Sequence, residues 1–315
     1  MRVLLTGASG YVGRSVAAAL SARDDEVVPV THRPPLPGQV GIDLEAGRLD
    51  ASRLPGGELG RVDAAIHLAG TPIIGRWTSR RRELIRSSRV AVGDLVARAL
   101  ASLPERPAVY VSGSAIGYYG ERGEEELDES SGPGTGFLAD LCRAWEAATA
   151  HARTAGIRVV TVRTGLVLGQ GGGTLGAMLP IFRAGLGGNL GSGRHWMSWV
   201  SLADEVEAIL FAVDTPSLSG PVNSVSPFPV RNEEFTAALA AAVHRRARLS
   251  VPAVALEAAL GRGPAREMVL ASQKVRPSRL EEAGFVFRHP ELGGALRAAL
   301  GLHPPTSDPP PAAGQ

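Results

Sequence analysis

One stretch constrains this chain more than any other: Met1-Arg2-Val3-Leu4-Leu5 runs straight into Thr6-Gly7-Ala8-Ser9-Gly10-Tyr11-Val12-Gly13, an apolar strand followed by glycines three apart. A strand that turns abruptly into a helix needs one glycine for the bend, one where backbone N–H groups approach a diphosphate, and one where the helix packs close. Val12, Val16, Ala19 and Leu20 then recur at helical spacing, so a helix N-terminus faces the turn. The pattern reads as a dinucleotide-binding turn, with Gly7, Ser9, Gly10, Tyr11, Val12 and Gly13 against the cofactor. The alternative is a plain strand, turn and helix.

Composition bounds what surrounds this turn. A chain of 315 residues, 44% hydrophobic, can bury one large α/β core with a smaller appendage. The net charge of +2 comes from dispersed arginines, and no basic block points to nucleic acid. No uncharged apolar run is long enough for a bilayer, and no charged-then-apolar leader precedes the first strand, so no membrane partner and a cytoplasmic location are expected. Cys142 is the single cysteine, which excludes an internal disulfide and a cysteine-based metal cluster, and no metal is expected. Of the 33 basic residues only Lys274 is a lysine.

Glu26–Thr31 reads as a second strand, ending at His32 and Arg33. An acidic residue there would accept from a free ribose 2′-hydroxyl; none stands here, and Arg33 offers its planar fork of donors to a 2′-phosphate instead. NADP(H) is therefore expected in preference to NAD(H), against the alternative of a solvated arginine beside Pro34 and Pro35. Residues 34–41 read as a loop, with Asp43 reaching the adenine edge. Asp63–Gly70 is the next strand, and Leu68, Ala69 and Gly70 at its end leave room for the cofactor's ribose. His67, inside that apolar run, reads as a packed core histidine. Arg76-Trp77-Thr78 opens a helix whose Arg80, Arg81, Arg82, Arg86 and Arg89 form either a solvated face or an anion-binding cluster.

Pro107–Ser112 is a fourth strand that delivers Ser112, Gly113 and Ser114 to the carboxyl edge of the sheet, where open parallel folds bind ligands. The acidic run Glu124–Glu129 reads as a solvated loop, Phe137–Ala155 as helix and Ile157–Val162 as a fifth strand. The recurrence of strand, helix and strand predicts an α/β fold, a Rossmann-like doubly wound parallel sheet with a smaller, mostly helical C-terminal region on the substrate side. Glycine clusters at 169–173, 185–188 and 191–193 flank a helix over 175–184 and suit a mobile lid within a substrate-side segment of about 166–200. Trp196–Val200 reads as one strand, Ser201 or Asp204 as the cap of a helix reaching Val213, and Val222–Val225 as a last strand. The expected organisation is a dinucleotide-binding domain over 1–228, a helical module over 229–300 with its family-specific part at about 251–298, and a Pro-rich disordered tail over 302–315.

The turn Thr6–Gly13, the strand end His67–Gly70 and the Ser112-Gly113-Ser114 strand resemble the short-chain dehydrogenase/reductase superfamily, in the extended branch that includes sugar-nucleotide epimerases and dehydratases. Gly75-Arg76-Trp77-Thr78, Ser88-Arg89, Gly117-Tyr118-Tyr119-Gly120, Cys142-Arg143-Ala144-Trp145-Glu146 and Arg163–Gly169 are similar to an atypical group of epimerase family proteins. That group's C-terminal module of unknown function is matched by Val251-Pro252-Ala253, Leu270–Pro277 and Glu282–Phe285. The resemblance implies an NAD(P)-binding oxidoreductase or epimerase fold over nearly the whole chain to about residue 300.

The departure matters as much as the likeness. Typical members carry Tyr-x-x-x-Lys on the helix that begins here near Phe137; alignment on Glu146 places Leu138 and Cys142 at those positions, and no lysine is near. Ser114 stands at the position of the superfamily's catalytic serine or threonine, where its hydroxyl would bond a substrate oxygen. Tyr118 or Tyr119 is then expected to supply the proton, unless both only pack over the cofactor. Cys142 is either inert core or, as a thiolate, a nucleophile. Two functions follow. One is NADP(H)-dependent hydride transfer on a small or nucleotide-linked substrate contacted by Arg163, Arg183, His195 and Trp196. The other is a catalytically reduced dinucleotide-binding sensor or scaffold, in line with members of the group described as cell-division inhibitors. A homodimer is compatible with either.

Overall fold

A computed structural model of the protein describes residues 1–247 and 249–302; the tail expected to be disordered lies outside them except for Leu302. The chain opens with β1 (Arg2–Thr6), α1 (Tyr11–Ser21) and β2 (Glu26–Thr31), followed by the antiparallel hairpin of β3 (Val40–Asp43) and β4 (Arg48–Asp50). Next come β5 (Ala64–His67), α2 (Ser79–Ser87), α3 (Val90–Ala101) and β6 (Val109–Ala115). A single 3-10 turn at Ile116–Tyr119 leads to β7 (Glu126–Leu127), α4 (Phe137–Ala147), α5 (Ala150–Thr154) and β8 (Arg158–Thr164). Residues 166–201 hold β9 (Leu166–Leu168), α6 (Gly173–Arg183), β10 (Gly188–Leu190), β11 (Trp196–Met197) and β12 (Trp199–Ser201). After them run α7 (Leu202–Asp214), β13 (Gly220–Ser224), β14 (Val230–Arg231) and α8 (Asn232–Ala242). The C-terminal part consists of β15 (Leu249–Val251), α9 (Ala253–Leu260), α10 (Arg262–Pro264), a π turn at Ala265–Val269, β16 (Lys274–Val275), α11 (Ser278–Glu282) and α12 (Leu292–Ala299).

Eight strands form one sheet in the order β13-β8-β6-β5-β1-β2-β3-β4, parallel everywhere except at β4. The chain leaves β1 toward β2 and returns on the other side as β5, so the strand order reverses between β1 and β5, where such sheets bind ligands. Side chains alternate across the sheet: Val3 and Leu5 join Val16, Leu20 and Ile209 of α1 and α7, while Leu4 joins Val96, Leu100 and Ala152 of α3 and α5. Both faces are covered, which is the Rossmann-like doubly wound architecture. A third cluster packs Leu168, Phe182, Trp199 and Phe235 against Leu292 and Leu296 of α12.

The structure changes several local expectations. Val40 and Gly41 belong to β3 rather than to the loop, because they pair with Val30 and Thr31 of β2, and Gly41 also pairs with Asp50 of β4. The helix over 137–155 breaks at Ala148 and Thr149, where the Thr149 hydroxyl donates to the Glu146 carbonyl. Trp196–Val200 is two strands with different partners, β14 for β11 and β9 for β12. Ser198 makes the break: its Oγ donates to the Gln273 carbonyl and accepts from the Val275 N–H. Most glycines of the three clusters are close-packed, Gly171 and Gly185 excepted. A Cβ on Gly172 would lie 2.6 Å from the Tyr11 ring, and one on Gly187 would lie 2.6 Å from the Phe182 ring. Absence of a side chain serves contact there rather than mobility.

Candidate functional site

The turn after β1 is built as a cradle. Gly7 takes φ +75°, and a Cβ there would meet the Leu68 carbonyl carbon at 2.6 Å and the Ala69 nitrogen at 2.7 Å, so the ends of β1 and β5 touch only because the residue is glycine. A Cβ on Gly13 would sit 2.0 Å from the Gly7 carbonyl oxygen, which the Gly10 N–H already occupies at 2.8 Å. α1 starts with Gly10 as its cap, without a side-chain hydrogen bond and without an acid in its first turn. Among the described residues the N–H groups of Tyr11, Val12 and Gly13 therefore have no acceptor, while Ser9 and Gly10 are exposed. Unmet donors at the positive end of a helix, with bare α-carbons beside them, fit a dinucleotide's diphosphate.

His67 ties this cradle together. Burial pushes its pKa down to about 4, so the ring is neutral. Nε2–H donates to the Arg89 carbonyl at 3.1 Å, which leaves Nδ1 to accept from the Thr6 hydroxyl at 2.7 Å. Thr6 Oγ1 in turn accepts from the Ala69 N–H at 3.2 Å. The core role expected of His67 is what the geometry shows. Arg33 is exposed on the loop after β2, and its guanidinium has no partner among the described residues. Asp43 lies at the end of β3 with Oδ1 accepting from the Ala46 N–H, which shapes the hairpin. Ser112 is fully buried and its hydroxyl turns back on the Gly113 carbonyl, so it offers a ligand no side-chain donor.

Beyond β6 the side chains form one buried polar chain. Ser114 Oγ donates to Glu146 Oε1 at 2.8 Å, and Arg163 grips the same carboxylate with Nε at 2.8 Å and Nη2 at 3.0 Å. Arg163 Nη1 donates to the Tyr119 oxygen at 3.0 Å, and the Tyr119 hydroxyl donates to Asn223 Oδ1 at 2.7 Å. Burial opposes the charge of Arg163, but its bonds to Glu146 and Tyr119 outweigh that and raise its pKa. Ser114 gives its single proton to Glu146, so it presents lone pairs to a ligand.

The two tyrosines differ. Tyr119 is fully buried, and burial, only partly offset by Arg163, pushes its phenol up to about 12. Its proton is committed to Asn223, so in this arrangement its hydroxyl has no proton to offer a ligand. Tyr118 lies with its ring centroid 3.5 Å from the Arg163 guanidinium carbon, and its hydroxyl makes no hydrogen bond among the described residues. Leu138 and Cys142, at the positions of the absent tyrosine and lysine, are buried under this turn: a Cβ on Gly117 would lie 3.2 Å from Leu138 Cβ. Burial, with the Glu146 charge beside it, pushes the Cys142 thiol up to about 12, which favours the inert-core alternative.

The four expected substrate contacts are not brought together. Arg163 is internal, 3% exposed, and paired. Arg183 is exposed at the end of α6, its carbonyl accepting from Arg245. The His195 Nε2 is buried without a partner among the described residues, and burial lowers its pKa. Trp196 donates to Glu124 at 2.9 Å, with the cations of Arg231 and Lys274 4.5 and 5.3 Å from its ring centroid. A groove of about 380 Å³ between α1, α7 and α12 contains none of the expected site residues.

Sequence reasoning missed two groups. Glu146 is the only acid between Asp140 and Asp204 and shares a helix face with apolar Leu138 and Cys142, a signal that it must be paired inside. The C-terminal clamp has no local signal. Gln273 Nε2 donates to the carbonyls of Ile116 and Gly120, both at 3.0 Å, holding both ends of the tyrosine turn. Glu267 accepts from the Leu138 N–H at 2.9 Å and caps α4, which Gly136 cannot do.

Comparison with known proteins matches residues 3–225 to the NAD dependent epimerase/dehydratase family and residues 251–299 to a domain of unknown function, DUF1731. This chain belongs to the epimerase/dehydratase family. It is 43% identical over 296 residues to Epimerase family protein Mb2239 of Mycobacterium bovis, covering 93% of this chain and 96% of that one. The crystal structure of human epimerase family protein SDR39U1 (isoform 2) with NADPH superposes with a TM-score of 0.87 at 34% identity, over 96% of this chain and 99% of that chain. A nucleoside-diphosphate sugar epimerase from Corynebacterium glutamicum matches at TM-score 0.77 and 33% identity, over 96% of this chain and 58% of that chain. No described helix is long and apolar enough to cross a membrane.

Proposed function

We propose that the protein binds NADP(H) in the cradle of Gly7–Gly13 and catalyses hydride transfer on a small or nucleotide-linked substrate. The observation that carries this reading is the uncapped, acid-free start of α1, opposed to the ends of β1 and β5 at the reversal of strand order. A bound nicotinamide dinucleotide supplies the hydride or takes it up. The chain supplies the rest. Gly7, Ser9, Gly10, Tyr11, Val12 and Gly13 would hold the diphosphate, Leu68, Ala69 and Gly70 the adjoining ribose, and Arg33 the 2′-phosphate. Human SDR39U1, similar over its whole length, was crystallised with NADPH, which agrees with this cofactor.

At the reacting end Ser114 orients the substrate by accepting a hydrogen bond, a polarity fixed by Glu146, which Arg163 holds in place. Tyr118 is the tyrosine whose hydroxyl is free to meet a ligand. The buried Leu138 and Cys142 in place of the proton-relaying pair favour a second reading, a dinucleotide-binding sensor with reduced catalysis. Fluorescence titration with NADPH and NADH, on the wild type and on Arg33→Ala, tests the cofactor. Tighter binding of NADPH, weakened roughly tenfold by the substitution while NADH is unaffected, is expected for one charged pair. Binding of neither nucleotide by the folded protein would refute both readings. NADPH consumption that no metabolite mixture accelerates would leave only the sensor.

A further inference from the structure

Arg89, the N-cap residue of α3, is a half-buried cation without an anion. Its Nη1 donates to the carbonyls of Thr71 at 2.9 Å and Ile85 at 3.2 Å. Among the described residues its Nε and Nη2 donate to nothing, and no carboxylate lies within ion-pair distance of it. The guanidinium carbon stands 5.2 Å from the centroid of the Trp145 ring, whose own Nε1 is buried and unpartnered. On the other side is Gly70: a Cβ there would fall 2.8 Å from the guanidinium carbon and 2.9 Å from Nη2. Gly70, beyond the end of β5 at the rim of the cradle, is exposed, so the residue that covers the guanidinium there has no side chain to shield it.

The chemistry of that vacant edge is specific. Nε and Nη2 are the two nitrogens whose parallel N–H bonds match two oxygens of a carboxylate or phosphate. Both backbone acceptors engage the remaining nitrogen, so the fork is held in place with its pairing edge unspent. Burial pulls the pKa down to about 10, with only the neutral Cys142 thiol beside it, so the group keeps its charge at neutral pH without local compensation.

We propose that Arg89 is an anion receptor of the site, its Nε–Nη2 edge taking two oxygens of a ligand phosphate or carboxylate beside Gly70. The ligand is the one read above, so this inference rests on that reading. The anion belongs either to the dinucleotide or to an acidic group of the substrate.

Thermal unfolding and calorimetric titration of the full chain separate these sources, using the wild type, Arg89→Met and Arg89→Lys at matched ionic strength. Methionine keeps an apolar stem against Trp145 and removes the fork. Inorganic phosphate is expected to raise the wild-type Tm, an effect lost in Arg89→Met. A dinucleotide source predicts an NADPH Kd raised ten- to hundredfold in Arg89→Met, with phosphate competing against NADPH. A substrate source predicts an unchanged NADPH Kd and phosphate protection of the NADPH-saturated wild type that Arg89→Met loses. Should the methionine variant not fold, Arg89→Lys carries the comparison, since an ammonium cannot bind two oxygens in parallel and at least threefold weaker binding is expected. Phosphate protection equal in all folded variants, together with an unchanged NADPH Kd, overturns the proposal. If the wild type binds no NADPH, the cofactor reading fails while phosphate on the ligand-free protein still decides Arg89.

Discussion

Replacing Glu205 by glutamine is expected to stabilise the protein above neutral pH and to expose an acid sensitivity that the wild type conceals. Glu205 lies on α7, 1% exposed, accepting hydrogen bonds from the Thr164 hydroxyl at 2.8 Å and the Ser224 hydroxyl at 2.5 Å. Burial raises its pKa from 4.5 to about 7, against the smaller effect of those two bonds. That rise corresponds to about 3 kcal/mol of differential stability between the protonated and ionised forms. The folded protein binds the proton between pH 7 and 4.5 where the unfolded chain does not, so this group makes stability fall as pH rises through that window. His67 works in the opposite direction: its pKa drops from 6.5 to about 4 on burial, so the stability tied to the neutral ring is present above pH 6.5 and lost toward pH 4, again about 3 kcal/mol. The two nearly offset each other in the wild type. Glutamine mimics the protonated carboxyl, so Glu205→Gln removes one side of the balance. Urea unfolding at pH 8, 6 and 4.5 is the assay, and the difference between the two proteins isolates Glu205 from other carboxylates. The variant is expected to be more stable by about 2–3 kcal/mol at pH 8 and equal to the wild type near pH 4.5. A variant less stable at pH 8, or a difference that does not change with pH, would refute the reasoning.

Other substitutions probe separate contacts. Gly13→Ala places a methyl 2.0 Å from the Gly7 carbonyl and is expected to cost at least about 2 kcal/mol and to abolish NADPH binding, read by denaturation and by fluorescence. Tyr119→Phe strands the Asn223 oxygen and one Arg163 donor, costing about 1–3 kcal/mol in the same unfolding assay. Glu267→Ala uncaps α4 and is expected to cost about 1 kcal/mol, with faster amide exchange confined to the first turn after Gly136. Glu146→Gln lets residue 146 donate to Ser114 and so alters what Ser114 offers a ligand; turnover equal to the wild type on any substrate found would remove the fixed polarity from the reading.

What could be read in advance was local in the chain. The Gly7–Gly13 turn is legible because its glycines, strand and helix are contiguous, and Ser114 because a parallel strand always delivers its last residues to the same edge. Ser201 as the cap of α7 was legible for the same reason, and its Oγ accepts from the Asp204 N–H at 2.9 Å. Trp196–Val200 misled because its apolar pattern records burial, whereas the break at Ser198 depends on backbone groups at 273 and 275. The Ser114–Glu146–Arg163–Tyr119–Asn223 chain draws on five separate elements, and spacing along the sequence carries no trace of such distances. Arg89 was legible as part of the Ser88-Arg89 pair that carries the family likeness and as one arginine of a helical cluster, but not as a cation without an anion. Its difference from Arg80 or Arg86 lies in the packing of Trp145 and Gly70 around it.

The pairing of β16 with β7 and the grip of Gln273 on Ile116 and Gly120 have a consequence for the order in which the protein matures during synthesis. The sheet from β4 to β6, with the cradle and Ser114, can assemble as soon as those strands leave the ribosome. The tyrosine turn at 116–119 meets Arg163 and Asn223 first, and its two backbone ends are held only when Gln273 follows, 157 and 153 residues beyond Ile116 and Gly120. On the function proposed above, nucleotide binding thus draws on the first stretch of the chain, whereas the placement of Tyr118 draws also on the last. A nick between residues 261 and 272 is expected to spare the binding and disturb the placement.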